Sequence, residues 1–127
     1  MSFCLAAAGV AVHVVATSFT LSWMHTIEKT EWSESWRVEA DRLVLAEARI
    51  EGSGAGMEPP GDARLEDGAY VWDPDIAQSS ITLRRYPSAG DWTLCAGDRC
   101  ASLGDWLRRD ADPVTISASA GEDCGEP

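Results

Sequence analysis

Apolar side chains recur at every second position over much of the early part of the chain. In residues 19–24, Phe, Leu and Trp alternate with Thr, Ser and Met, and the same period appears at 10–15 and at 32–38. Successive side chains of a strand point to opposite faces of a sheet, whereas side chains of a helix share a face every three to four residues. The spacing therefore predicts β-strands in these segments, and a first strand at 3–7 before a turn near Gly9.

The segment 41–50 fits either a strand or a helix. Its Leu, Ala, Glu and Arg residues favour a helix, but the strand predicted just before it needs a partner. We therefore favour a strand at 43–50, in which Leu43 and Leu45 share one face. The residues predicted on the other face are Val44, Ala46, Ala48 and Ile50.

Glycine, proline and aspartate interrupt the rest of the chain. Residues 51–62 contain four glycines and two prolines, which predicts a loop. Later elements are predicted as a hairpin turn at 65–69, strands at 70–72, 81–83, 92–95 (paired with a strand from Cys100) and 113–119, and a helical turn at 103–108. Many short strands with close turns predict a mostly β chain: a single small antiparallel β-sandwich or partly open barrel over residues 1–120, with at most one short helix. Residues 121–127 are predicted to form a disordered tail.

Charge and composition narrow the range of functions. The chain has 127 residues and a formal net charge of -11, and its ten Lys and Arg residues form no basic cluster. This acidic charge favours a soluble chain and repels DNA and anionic lipid, so nucleic-acid binding is not expected. The apolar segment 1–19 includes polar residues and lacks a basic start, which predicts no membrane span and no export signal, and a cytoplasmic location if translation starts at Met1. Six tryptophans indicate core packing, with an aromatic binding surface as the alternative.

The four cysteines, at positions 4, 95, 100 and 124, lack the paired close spacing of a structural zinc site. If Gly97 and Asp98 form a two-residue hairpin loop, Cys95 and Cys100 face each other as a non-hydrogen-bonded pair, with Cα atoms about 4.5 Å apart. That distance permits a disulfide, which we expect in an oxidising compartment. Cys4 is predicted to be a small buried apolar residue.

Residues 25–34 place His25 among three glutamates. A base oriented by a carboxylate, or a metal held by His and Glu, would need such groups close together, but no motif identifies a nucleophile. The alternatives are a strand end, where His25 bonds locally, and a binding contact. His13, alone on a valine-rich strand, is predicted to be a satisfied core or rim histidine rather than a ligand.

The glycines at positions 52, 54 and 56 do not match a phosphate-binding motif. Their spacing differs from G-x-G-x-x-G, and Pro59 stands where a helix should begin. We expect a flexible loop or a sharp corner. If this loop binds a ligand, its exposed backbone N–H groups favour a carboxylate.

A family resemblance adds a functional setting. The run 19–29 resembles the pattern F-x-L-x-[YW]-x-H-[ST]-[VI]-E-K of the domain-of-unknown-function family numbered 1850, and 53–57 is similar to its [SF]-G-A-G-[LM] element. Met24 departs from the polar or aromatic residue usual at its place. The resemblance implies a protein encoded beside the receptor and permease of a tripartite ATP-independent periplasmic (TRAP) transporter of the TAXI type, in bacteria and outside the cytoplasm. No catalytic residues are established for the family, so none is carried over.

The expected function is therefore a non-enzymatic accessory or binding protein linked to such a transporter, with a receptor or permease subunit as partner and no cofactor. Its predicted polar contact site comprises His25, Glu28, Lys29, Glu34, Gly54 and Gly56. One alternative is a small ligand-binding or structural β domain unrelated to transport. The other is a metal-dependent hydrolase that uses His25 and Glu28.

Overall fold

The computed structural model describes residues 1–24, 31–51, 61–84, 91–119 and 124. Twelve strands and one helix lie in these ranges. In chain order they are β1 (Ser2–Ala7), β2 (Val10–Val15), β3 (Ser18–Met24), β4 (Glu31–Val38), β5 (Leu43–Glu51), β6 (Arg64–Glu66), β7 (Ala69–Trp72), β8 (Ile76–Gln78), β9 (Ser80–Leu83), β10 (Thr93–Ala96), β11 (Arg99–Ser102), α1 (Leu103–Leu107) and β12 (Val114–Ser119).

The strands form two antiparallel sheets. The shorter sheet has the order β2-β1-β12-β9. The longer sheet has the order β11-β10-β3-β4-β5-β7-β6, and β8 also pairs with β5. The predicted mostly β fold with a single short helix is thereby confirmed, and its two open sheets match a small β-sandwich. No helix in the described part of the chain is long and apolar enough to cross a membrane.

Large apolar side chains from both sheets meet in the core. Phe3 and Leu5 of β1 and Phe19 and Leu21 of β3 are almost fully buried. The rings of Phe3 and Phe19 lie 4.7 Å apart between centroids, which joins the two sheets directly. Burying each of these side chains stabilises the fold by about 1.5–3 kcal/mol. The alternation seen in the sequence thus reflects one apolar face on each sheet.

The strand predicted at 43–50 is confirmed, but the predicted division of its two faces is wrong. Trp36 pairs with Leu45 and Ser35 pairs with Glu47, so Ala46 has no partner on β4. An unpaired residue of this kind is a β-bulge, and it shifts the alternation of every residue after it. The residues that consequently share the core-facing side of β5 are Leu43, Leu45, Ala48 and Ile50.

Two hairpins turn through residues with positive φ. Ala8 (φ 47°) and Gly9 (φ 82°) join β1 to β2, and Asp67 (φ 50°) and Gly68 (φ 81°) join β6 to β7. Two successive left-handed residues match the right-handed twist of the strands that they connect. The turns predicted near these positions are confirmed.

The helical turn predicted at 103–108 is confirmed as α1. The Ser102 hydroxyl accepts a hydrogen bond from the Asp105 backbone N–H at 3.1 Å, which caps the first turn. Trp106 is buried and its indole Nε1 donates to the Leu94 carbonyl at 2.9 Å. The helix is therefore fixed against β10 of the longer sheet.

The described cysteines form two disulfides. Cys95 and Cys100 are joined across the predicted hairpin, with Cα atoms 4.0 Å apart. Cys4 is buried, as predicted, but it is bonded to Cys124 rather than being an unlinked apolar residue. Local spacing could not indicate this bond, because 120 positions separate the two cysteines. Apart from Cys124, the predicted disordered tail lies outside the described residues.

Candidate functional site

Of the predicted contact residues, Glu34 alone lies in the described part of the chain. His25, Glu28 and Lys29 lie outside it, in the segment after β3, and so do Gly54 and Gly56, in the segment after β5. β3 and β5 both pair antiparallel with β4, so the C-terminal ends of β3 and β5 lie at the same end of the longer sheet. The prediction that the six residues form one contact site stays a prediction.

Glu34 lies on the core-facing side of the longer sheet. Residues directly opposite each other on neighbouring strands share a face. The row that contains the carboxylate runs across five strands as Leu94, Leu21, Glu34, Ala48 and Trp72. Glu34 is half-buried, and its two direct neighbours in this row are apolar.

The next row toward the end of β3 is rich in aromatic residues. It runs as Trp23, Trp32, Ile50, Tyr70 and Leu65. The ring centroids of Trp23 and Trp32 are 5.6 Å apart, and Trp92, which precedes β10, brings its ring to 4.4 Å from Trp23. The three indoles are half-buried, so each retains a part that solvent reaches.

Five of the six tryptophans lie on this face, around one carboxylate. We call this set the aromatic face; its members are Trp23, Trp32, Glu34, Trp36, Trp72 and Trp92. The sequence alternation already placed Trp32, Glu34 and Trp36 on one side of β4. It could not show that Trp72 and Trp92 join them, because that depends on pairing between distant strands.

Burial governs the electrostatics of Glu34. It raises the pKa of this carboxyl above the ordinary value of 4.5, and a hydrogen bond from Trp36 partly opposes the shift. In that bond the Trp36 Nε1 donates to Glu34 Oε1 at 3.1 Å. No arginine or lysine among the described residues forms an ion pair with Glu34. The ionised carboxylate thus lacks a described counter-ion within an apolar surrounding.

Hydrogen bonds hold the backbone and ring of Trp92 in place. Asp91 accepts from the Trp92 N–H at 2.8 Å through Oδ1 and from the Gly104 N–H at 2.9 Å through Oδ2. The Trp92 indole Nε1 donates to the Arg84 carbonyl at 2.9 Å. A ring fixed in this way loses little conformational entropy when a ligand contacts it.

A cleft lies at the C-terminal end of β4, and residues from both faces of the longer sheet line it, including Trp36 of the aromatic face. Its volume is about 930 Å³, and its lining includes Ser35, Arg37, Glu39 and Arg42. Arg42 and Arg37 both bond to Glu39, at 2.6 and 3.1 Å, and hold the pKa of its carboxyl below the ordinary value. Two arginines and one glutamate thus form an ion-paired group in the lining of this cleft.

The described residues contain no group of three or more His, Cys, Asp or Glu that could hold a metal ion. The prediction that His13 is a satisfied histidine is wrong, because its Nε2 is buried and has no hydrogen-bond partner among the described residues. β2 places His13 opposite Cys4, whose sulfur is committed to the disulfide. The alternation of side chains within β2 cannot show which residue of β1 lies opposite His13.

Comparison with known protein families identifies a match. The family described as "Domain of unknown function (DUF1850)" matches residues 19–103. The chain belongs to this family. The DUF1850 region begins in β3 and ends at the first residue of α1, so it contains the whole aromatic face and excludes β1, β2 and β12. No curated protein and no solved structure matches the chain.

Proposed function

We propose that this chain is a non-enzymatic accessory protein linked to a TRAP-type solute transporter, and that it binds through the aromatic face. The observation that carries the binding role is the arrangement of tryptophans around Glu34. Four of these indoles are half-buried: three lie on strands of the longer sheet, and Trp92 directly precedes β10. Tryptophan is enriched where proteins bind partners, because one ring provides a large contact area at a low entropic cost.

The transporter link is supported by family membership and by the genomic setting that the resemblance implies. The region that the family model matches contains every residue of the aromatic face. The net charge of -11 works against nucleic acid and anionic lipid as alternative partners. A receptor or permease subunit of the transporter therefore remains the partner to test.

The test is a capture experiment with purified components. The immobilised chain is incubated with the receptor or with the detergent-solubilised permease of the transporter, and bound protein is quantified. Truncating Trp32 to Ala removes a ring from the aromatic face, and we expect retention to fall at least tenfold. Interface tryptophans often cost about 2 kcal/mol or more when they are truncated, which exceeds a tenfold change.

Glu47→Gln provides the control for this experiment. Glu47 pairs with Ser35 on the opposite face of the longer sheet, so its replacement leaves the aromatic face intact. We expect this variant to retain the partner as the unaltered chain does. Capture of neither subunit, or equal capture by the Trp32→Ala variant with an unchanged circular-dichroism spectrum, would contradict the proposal.

A further inference from the structure

We propose that the aromatic face binds an organic cation, a quaternary ammonium or an alkylated amine, with Glu34 as its counter-ion. This inference rests on the proposed function, since it names the ligand class of the same face. It draws on the ring geometry, the position of the carboxylate and the absence of a counter-ion for it among the described residues.

The ring geometry suits a cation. The face of an indole carries negative electrostatic potential and attracts a cation within about 6 Å of its centroid. The rings of Trp23 and Trp92 are inclined at 50° with centroids 4.4 Å apart, and the rings of Trp23 and Trp32 stack at 5.6 Å. Because the rings contact one another, a cation would lie against the parts that solvent reaches rather than between them. An alkylated cation near these rings would gain cation–π attraction and would also bury its own apolar surface.

Glu34 adds a negative charge on the same face as these rings. Glu34 follows Trp32 by two residues on the same strand face, a separation of about 7 Å between Cα atoms. Trp36 donates to Oε1, and no described residue donates to Oε2. A ligand cation would therefore supply the interaction that the half-buried charge lacks.

An anionic or a metal ligand fits the described residues less well. A carboxylate ligand would meet like charge at Glu34, negative ring faces and a net charge of -11. A metal ion needs several oxygen, nitrogen or sulfur ligands, and Glu34 is the one described carboxylate in these rows. The carboxylate preference predicted for the glycine loop concerns residues outside the described ranges.

Protonation of Glu34 should weaken binding. The strands beside it present Leu21 and Ala48, and Tyr70 is the other titratable side chain in the described rows of this face. Affinity for a permanently charged cation should therefore fall as acid protonates Glu34. Because burial raises the pKa of Glu34, the fall should begin at a higher pH than for a carboxyl with the ordinary value of 4.5.

The test uses choline and its neutral isostere 3,3-dimethylbutanol, which differ mainly in charge. Binding is followed by tryptophan fluorescence and by isothermal titration calorimetry. We expect the chain to bind choline at least tenfold more tightly than the alcohol. Glu34→Gln should weaken choline binding at least tenfold, which corresponds to about 1.4 kcal/mol, and should leave the alcohol unaffected. Glu47→Gln, which makes the same charge change on the other face, should bind choline normally.

Equal affinity for choline and the alcohol, or full choline affinity in Glu34→Gln, would overturn the inference. An unchanged circular-dichroism spectrum and melting temperature would show that Glu34→Gln is folded. The outcome is separable from the proposed function. Capture of a transporter subunit that depends on Trp32, without choline binding, would leave the accessory function standing and reject the cation.

Discussion

At the scale of single residues, Glu34 is the unusual side chain of the aromatic face, because it is a carboxylate between apolar neighbours. A strand position whose neighbours in register are Leu21 and Ala48 is normally apolar. A carboxyl at such a position destabilises the fold when it is ionised, unless a partner compensates. The bond from Trp36 supplies part of that compensation. We interpret the remainder as a cost that ligand binding removes.

This interpretation predicts that Glu34→Gln changes stability in a pH-dependent way. A carboxyl whose pKa is raised in the folded state contributes stability below its unfolded pKa and loses it as the pH rises through the folded pKa. Glutamine does not titrate, so its advantage over Glu34 should grow between about pH 4 and about pH 7. Urea unfolding of both proteins at these two pH values measures the difference.

The titration of other carboxyl groups does not alter the stability difference between the two proteins. The pKa of Glu39 is lowered by Arg42 and Arg37, so its contribution is present near neutrality and is lost as the pH falls. That loss occurs in both proteins and cancels in their difference. A difference between Glu34→Gln and the unaltered chain that stays constant with pH, or shrinks as the pH rises, would contradict the account of Glu34.

At the scale of elements, the turns and most strands follow from local sequence, whereas strand register does not. Asp67 and Gly68 predicted a hairpin because they tolerate positive φ, and the structure confirms it. Alternation placed Trp32 and Trp36 on one face correctly. It failed on β5, because the bulge at Ala46 depends on how β4 pairs and has no signal within β5 itself.

The β6–β7 turn gives a prediction for a single glycine. Gly68 has φ +81° and an added Cβ would meet nothing within 4 Å, so the cost of Gly68→Ala is conformational rather than steric crowding. A non-glycine residue in the left-handed region costs about 1–2 kcal/mol, and we expect a loss of that size in the free energy of unfolding. Gly61 also has open space and no positive φ, which makes Gly61→Ala the matched control.

Denaturant unfolding of the two glycine variants measures both effects. The control should change the free energy of unfolding by less than about 0.5 kcal/mol, as is usual for exposed sites. Equal losses in the two variants would show that the conformation of the turn is not the cause.

At the scale of the whole molecule, the two disulfides act over very different distances. Cys95 and Cys100 are five positions apart, and their bond was predictable from a local hairpin. Cys4 and Cys124 are 120 positions apart and tie the first strand to the end of the chain. Their pairing, like the meeting of Trp72 and Trp92 with the central strands, depends on the global topology, which a pattern within one segment does not contain.

Loop length predicts unequal contributions from the two bonds. The chain-entropy relation gives about 5 kcal/mol for a closed loop of roughly 120 residues and about 2 kcal/mol for one of roughly six. Replacing both Cys4 and Cys124 by Ser should therefore destabilise the protein more than replacing Cys95 and Cys100. Denaturant unfolding under identical non-reducing conditions compares the pairs, and an equal or reversed order would contradict this prediction.

The binding role of the aromatic face can be tested with the indole N–H signals of the six tryptophans, assigned in a ¹H–¹⁵N correlation spectrum. During a choline titration, we expect the signals of Trp32, Trp36 and Trp92 to move together along one binding curve. The signal of Trp106 should stay in place, because its indole is buried against the Leu94 carbonyl. Unmoved signals from the aromatic face, or a shift confined to Trp106, would contradict binding at this face.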